Sequence, residues 1–184
     1  MKKGYLTMWK IIIRNFALTV TVCCLVPSLV FGINKGSTVF VGKIDWYEVT
    51  HADFGIRFFL PLGIKTTEFD EGSFSGLVGT TEDGVTLVIQ GSPQSVTLEG
   101  LEEWVLKDLG IDGEGFKKIQ EEKSFHNLTY RTYMNVGDSE TYWIMVARHL
   151  SQEFSYVIYV QTPTKLAETY QEAFIFWLTN IYGL

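Results

Sequence analysis

Between Leu128 and Gln161 three strand-like runs follow one another with almost nothing between them. Leu128–Val136, 141–149 and 154–161 are rich in branched and aromatic residues. Tyr142, Ile144 and Val146 alternate in the second run, and Phe154, Tyr156, Ile158 and Val160 alternate in the third. The links are Gly137-Asp138-Ser139 and Leu150-Ser151-Gln152. Links this short cannot carry a crossover, so each strand lies antiparallel to the next and the three form a meander.

The rest of the chain has to be compatible with that meander. Residues 38–49 read as one strand. Phe54, Ile56, Phe58 and Leu60 alternate in a half-buried strand stopped by Pro61. A weaker strand at 73–80 and a stronger one at 85–90, with Val85, Leu87 and Ile89 on one face, flank the turn signal Glu82-Asp83-Gly84 and read as a hairpin. Leu98–Leu109 has the marks of a helix. Thr97 caps it, Glu99, Glu102 and Glu103 suit its positive end, and Gly110 stops it. Leu98, Leu101, Val105 and Leu109 turn one face toward a sheet. Phe116–Phe125 stays open between helix end and strand. Thr162-Pro163 opens a last helix, with Thr as cap and Pro at the first helical position. Its buried stripe is Leu166, Tyr170, Phe174, Trp177 and Ile181. Strands, helix, three strands and helix make an α+β chain: an antiparallel β-sheet sandwiched by helices, in one domain over residues 36–184.

The N-terminus is of another kind. Lys2, Lys3, Lys10 and Arg14 precede an uncharged run at 16–33, broken by Pro27. A basic start, an apolar stretch and a small-residue exit describe a secretory signal. Val30 and Gly32 favour cleavage after Gly32, making 1–32 the signal peptide; cleavage after Ser28 is the second choice. The alternative is an uncut membrane anchor over residues 16–33, which just spans a bilayer. Cys23 and Cys24 raise a lipoprotein reading, but Val22 precedes the pair where a small residue is wanted, and the bland reading is two apolar thiols. Removing 32 of the 184 residues takes away four cations and both cysteines. The net charge moves from −6 to −10 and no disulfide is possible. That acidity excludes a sequence-independent nucleic-acid binder, which needs excess positive charge. The expected address is periplasmic or extracellular, with membrane contact only through an uncleaved N-terminus.

Chemistry-bearing motifs are sparse. His51, His126 and His149 are far apart in sequence and show no metal-ligand spacing. Gly72-Ser-Phe-Ser-Gly76 is not a nucleophile elbow, and no phosphate loop occurs. Asp108–Glu114 fails as a calcium loop because Gly110 and Ile119 fall where ligands are required. The expectation is therefore no catalytic, metal or cofactor site. Glu68, Asp70 and Glu71 cluster between two strands. There they either keep a loop soluble or dock a basic partner, and they are the candidate partner-binding residues. Trp46, Tyr47, Tyr133, Trp143 and Tyr159 read chiefly as core, with an outward patch as the alternative. Asn127-Leu-Thr129 is a glycosylation sequon, meaningful only in a eukaryotic secretory host.

Residues 47–61 (YEVTHADFGIRFFLP) resemble the opening of the PsbP-like family, in which an aromatic strand leads into a second strand ending in Pro. The hairpin, the helix entered at 95–99, the meander and the closing helix continue that family's order over most of residues 36–184. The resemblance implies an α/β/α sandwich. Members include photosystem II extrinsic subunits, a Ran-binding nuclear import factor and small exported bacterial proteins, and they act by binding partners. It carries no binding residue onto this chain. The implied role is an exported, non-catalytic accessory protein working through protein–protein contacts in the cell envelope. The alternative is a small-ligand carrier or hydrolase with a pocket between sheet and helix.

Overall fold

The structure is a computed structural model that describes residues 33–71, 74–111 and 115–184. The segment read as a signal peptide or anchor, with Cys23 and Cys24, lies outside the described residues, as do Gly72, Ser73 and 112–114. Among the described residues, no helix is long and apolar enough to cross a membrane.

Among the described residues, two antiparallel sheets and two helices make up the fold. The small sheet has the order β1 (Ile33–Val41), β2 (Ile44–His51), β3 (Ile56–Pro61), β11 (Tyr182–Gly183). The large sheet runs β4 (Lys65–Glu71), β5 (Phe74–Thr80), β6 (Thr86–Ser92), β10 (Ser155–Pro163), β9 (Glu140–His149), β8 (Leu128–Val136), β7 (Phe116–Phe125). The helices are α1 (Leu98–Leu109) and α2 (Thr164–Thr179). The meander is present as β8-β9-β10. It joins the β5-β6 hairpin through the β6-β10 pairing, with Ile158 opposite Ile89.

Strand alternation gives the large sheet two buried faces. Val88, Tyr133, Ile144, Val146, Val157 and Tyr159 pack with Leu98, Leu101 and Val105 of α1. Their immediate neighbours Leu87, Ile89, Trp143, Met145, Tyr156, Ile158 and Val160 point the other way. They pack with Phe174 and Trp177 of α2 and with Ile56, Phe58 and Leu60 of β3. Two side chains stitch the layers together. The Trp177 indole N–H donates to the Phe59 carbonyl, and the Tyr156 hydroxyl donates to the Phe54 carbonyl at 2.6 Å.

Helix α1 has the expected bounds. Thr97 Oγ1 accepts the Gly100 N–H at 3.1 Å, and Gly110 is left-handed, with its N–H on the Leu106 carbonyl. Other expectations need correction. The supposed single strand at 38–49 is a hairpin, β1-β2, turned at Gly42-Lys43 with φ of 58° and 66°. Only glycine suits Gly42, because a Cβ there would also strike Ala173 of α2. Thr162 does not cap α2; it is a buried strand residue, and Pro163 ends β10. Thr164 anchors the helix start instead. Its hydroxyl donates to the Gly137 carbonyl at 2.8 Å and its N–H to the Ser139 carbonyl at 3.0 Å. Phe116–Phe125 is a strand. The apolar stripe is as expected, with Phe174 and Trp177 of α2 buried, Leu166 and Tyr170 half-buried, and Ile181 buried just beyond the helix end.

Candidate functional site

Glu68, Asp70 and Glu71 do not sit on a connecting loop. They belong to β4, one of the two edge strands of the large sheet. The β-formers Thr66, Thr67 and Phe69 favour an extended chain there. Gly76 on β5 lets Phe69 lie flat, since a Cβ at that position would collide with the Phe69 ring and the Ile89 carbonyl. The β4-β5 register runs unbroken from Lys65 opposite Thr80 to Glu71 opposite Phe74. Glu68 and Asp70, two residues apart, share one face of the strand and are both exposed.

That face meets a histidine. His51, the last residue of β2, has a side chain only 4% exposed, with Nε2 3.9 Å from Glu68 Oε1. Its ring stacks on Phe54 at 3.8 Å between centroids, and neither ring nitrogen has a hydrogen-bond partner. Burial pushes the imidazole below its ordinary range, against the opposing pull of Glu68 and then Asp53. His51 is thus a neutral side chain beside an exposed carboxylate. Among the described residues no group of three or more His, Cys, Asp or Glu side chains is arranged to hold a metal.

The other two histidines serve the architecture around β11, an edge strand of the small sheet. His149 Nδ1 accepts the N–H groups of Ser151 and Gln152, both at 3.2 Å, which leaves Nε2 to donate to the Leu184 main-chain oxygen at 3.1 Å. His126 and Asn127 form a left-handed turn with φ of 50° and 62°. The His126 ring lies 3.9 Å from the Tyr182 ring, and its carbonyl accepts the Gly183 N–H at 2.8 Å. The sequon residue Asn127 donates its amide to the Gly183 carbonyl at 3.2 Å. These contacts fix β11 against β3.

One polar cluster had no counterpart in the sequence reading. Arg131 on β8 reaches Glu102 at 2.8 Å, Glu99 at 2.7 Å and Glu122 at 2.8 Å, so one guanidinium joins α1, β7 and β8. The Tyr133 hydroxyl donates to Glu102 as well. Burial, and then that bond, push its phenol well above the ordinary range. The i,i+3 carboxylates of α1 and the i,i+2 pair on β8 were visible as spacings. Nothing local said that these faces meet. The aromatics settle as packing: Trp46, Tyr133, Trp143 and Tyr159 are buried, and Tyr47 packs half-buried against the core.

No family model matches this chain, and no curated protein matches it in sequence. Among solved structures it is similar to cyanobacterial PsbP (CyanoP) from Synechocystis sp. PCC 6803. The TM-score is 0.56 at 12% identity, over 89% of this chain and 99% of that one. The chain has a PsbP-like fold. It is also similar to the Ran-binding protein Mog1p of Saccharomyces cerevisiae, with a TM-score of 0.45 at 10% identity, over 83% of this chain and 96% of that one.

Proposed function

We propose that this chain is an exported, non-catalytic accessory protein that binds a protein partner in the cell envelope, docking it on Glu68, Asp70 and Glu71 of β4. On this reading it is an exported bacterial member of the PsbP-like group. The large sheet is then the middle layer of an α/β/α sandwich, with α1 on one face and α2 with the small sheet on the other. The observation that carries the docking assignment is the position of Glu68 and Asp70: exposed, on one face, at a sheet edge that is free among the described residues. His51, held neutral, does not offset their charge. The engagement of His126 and His149 in holding β11 supports a structural use of those histidines.

The test is charge reversal. E68K/D70K/E71K is expected to abolish capture of the native envelope partner while the thermal melt stays within a few degrees of wild type. Capture by the wild type should weaken with added salt, through screening over about 8–10 Å. Unchanged capture by the reversed chain rules out this docking surface. One contact favours the alternative, a ligand carrier or hydrolase: the His51–Glu68 pair. That reading expects H51Q to lose function with its fold intact, and the docking reading expects H51Q to keep it.

A further inference from the structure

Both ends of the large sheet are free edges among the described residues, and the two edges are built differently. β7 carries Lys117, Lys118 and Lys123, and its register with β8 shifts twice, between Lys118 and Gln120 and between Gln120 and Lys123. Lysines and bulges are the devices that keep an edge from recruiting another strand. β4 carries a single lysine, Lys65, at its start, and its pairing has no such irregularity. Its seven residues pair with β5 in one continuous register, without proline or bulge, and no strand among the described residues pairs with its outer side. Alternate backbone N–H and C=O groups of an antiparallel edge strand point outward, so β4 offers a ready row of donors and acceptors.

The charges on β4 select what adds to that row. Thr66, Glu68 and Asp70 alternate on one face, and Glu68 is 46% exposed. A second copy of this chain added antiparallel through its own β4 would bring carboxylates opposite or diagonal to carboxylates, which is repulsive. An extended segment with Lys or Arg at every second position would place a cation over each of Glu68 and Asp70. Resting on the docking reading above and naming its mode and partner, we infer that β4 is a strand-addition site for an extended, alternately basic segment of a partner protein. Main-chain hydrogen bonds to β4 would hold the segment, and Glu68 and Asp70 would choose it.

The probe is a labelled seven-residue peptide alternating lysine and valine, titrated into the full-length chain and followed by anisotropy and by amide hydrogen exchange. Saturable binding is expected, with exchange slowed at residues 65–71 and unchanged at 116–125. The same peptide N-methylated at alternate amides keeps its charges but cannot donate to the edge. It is expected to bind at least about tenfold more weakly, and so is the unmodified peptide to the E68K/D70K chain. An alternating glutamate–valine peptide should not bind. No binding of the lysine peptide overturns the inference, and so does protection mapped away from β4. Equal binding of the N-methylated peptide together with a loss on charge reversal overturns strand addition and leaves the acidic docking surface standing. Binding indifferent to charge reversal overturns both. Protection of 65–71 that rises with chain concentration in the absence of peptide would assign the edge to a second copy, against the inference.

Discussion

Trp177 has no exposed surface, and its indole bonds the Phe59 carbonyl across the layer boundary. Trp177→Ala should cost about 3–5 kcal/mol in chemical denaturation, the usual loss for a large buried aromatic. Trp177→Phe should cost less, roughly 1–3 kcal/mol, because it leaves the carbonyl unpaired in a smaller cavity. His51 makes a pH prediction. In the unfolded chain it takes a proton near its ordinary value of about 6.5. In the fold, burial lowers that value against Glu68 and Asp53. Between the two values the unfolded chain binds more protons, so its contribution is whole above about 6.5 and is lost as pH falls toward the native value. The His126 imidazole is also lowered, by burial and then by Arg57, and it adds to the same slope. Thermal melts between about pH 7.5 and about pH 5 should therefore fall less steeply for His51→Phe than for wild type. Parallel curves would mean that burial does not lower the His51 imidazole in the fold. Trp177 was legible from the spacing along its helix. His51 was not, because its burial depends on Phe54 folding back over the ring and on β4 meeting it from farther along the chain.

At the level of elements, the Arg131 clasp is the clearest case of three segments held by one side chain. Arg131→Ala leaves Glu99, Glu102 and Glu122 facing one another without their cation. A loss of about 1–3 kcal/mol is expected, with faster amide exchange in β7 and partial recovery in high salt. Arg131→Lys should recover only part of the loss, since an ammonium lacks the planar fork that reaches several carboxylates at once. If β7 exchange is unchanged in Arg131→Ala, the clasp does not hold that strand. Helix α1 was readable to the residue because its caps, Thr97 and Gly110, act locally. The start of α2 was misread. Thr162-Pro163 has the local form of a cap, yet β10 pairs with β9 as far as Pro163, opposite Glu140, and the helix begins only beyond it. The hairpin at Gly42-Lys43 was missed because it lacks the usual Asn-Gly or Asp-Gly signal. β4 was missed because its exposed pattern, with Thr66, Thr67, Glu68 and Asp70 all outward, shows little of the apolar alternation by which a strand is recognised.

For the whole molecule, the two cores share one sheet, since neighbouring residues of β6, β9 and β10 point into opposite layers. Loosening one layer disturbs the strands that support the other. Leu101→Ala, in the α1 layer, should cost about 2–5 kcal/mol, and calorimetry should still show one transition, as it should for Trp177→Ala. Two separated transitions would mean that the layers unfold independently. By itself the amino-acid sequence determined the antiparallel meander, the β5-β6 hairpin, α1 and the apolar stripe of α2. Each of these rests on forces acting within a few residues: link length, capping and the period of apolar side chains. Tertiary structure alone decided the second sheet, the closing of β11 onto β3, the Arg131 clasp, the burial of His51 and the place of Glu68 and Asp70 on a sheet edge. These depend on which distant surfaces meet. Contacts between segments far apart along the chain are selected by the burial of whole faces against one another, and no local pattern encodes that choice.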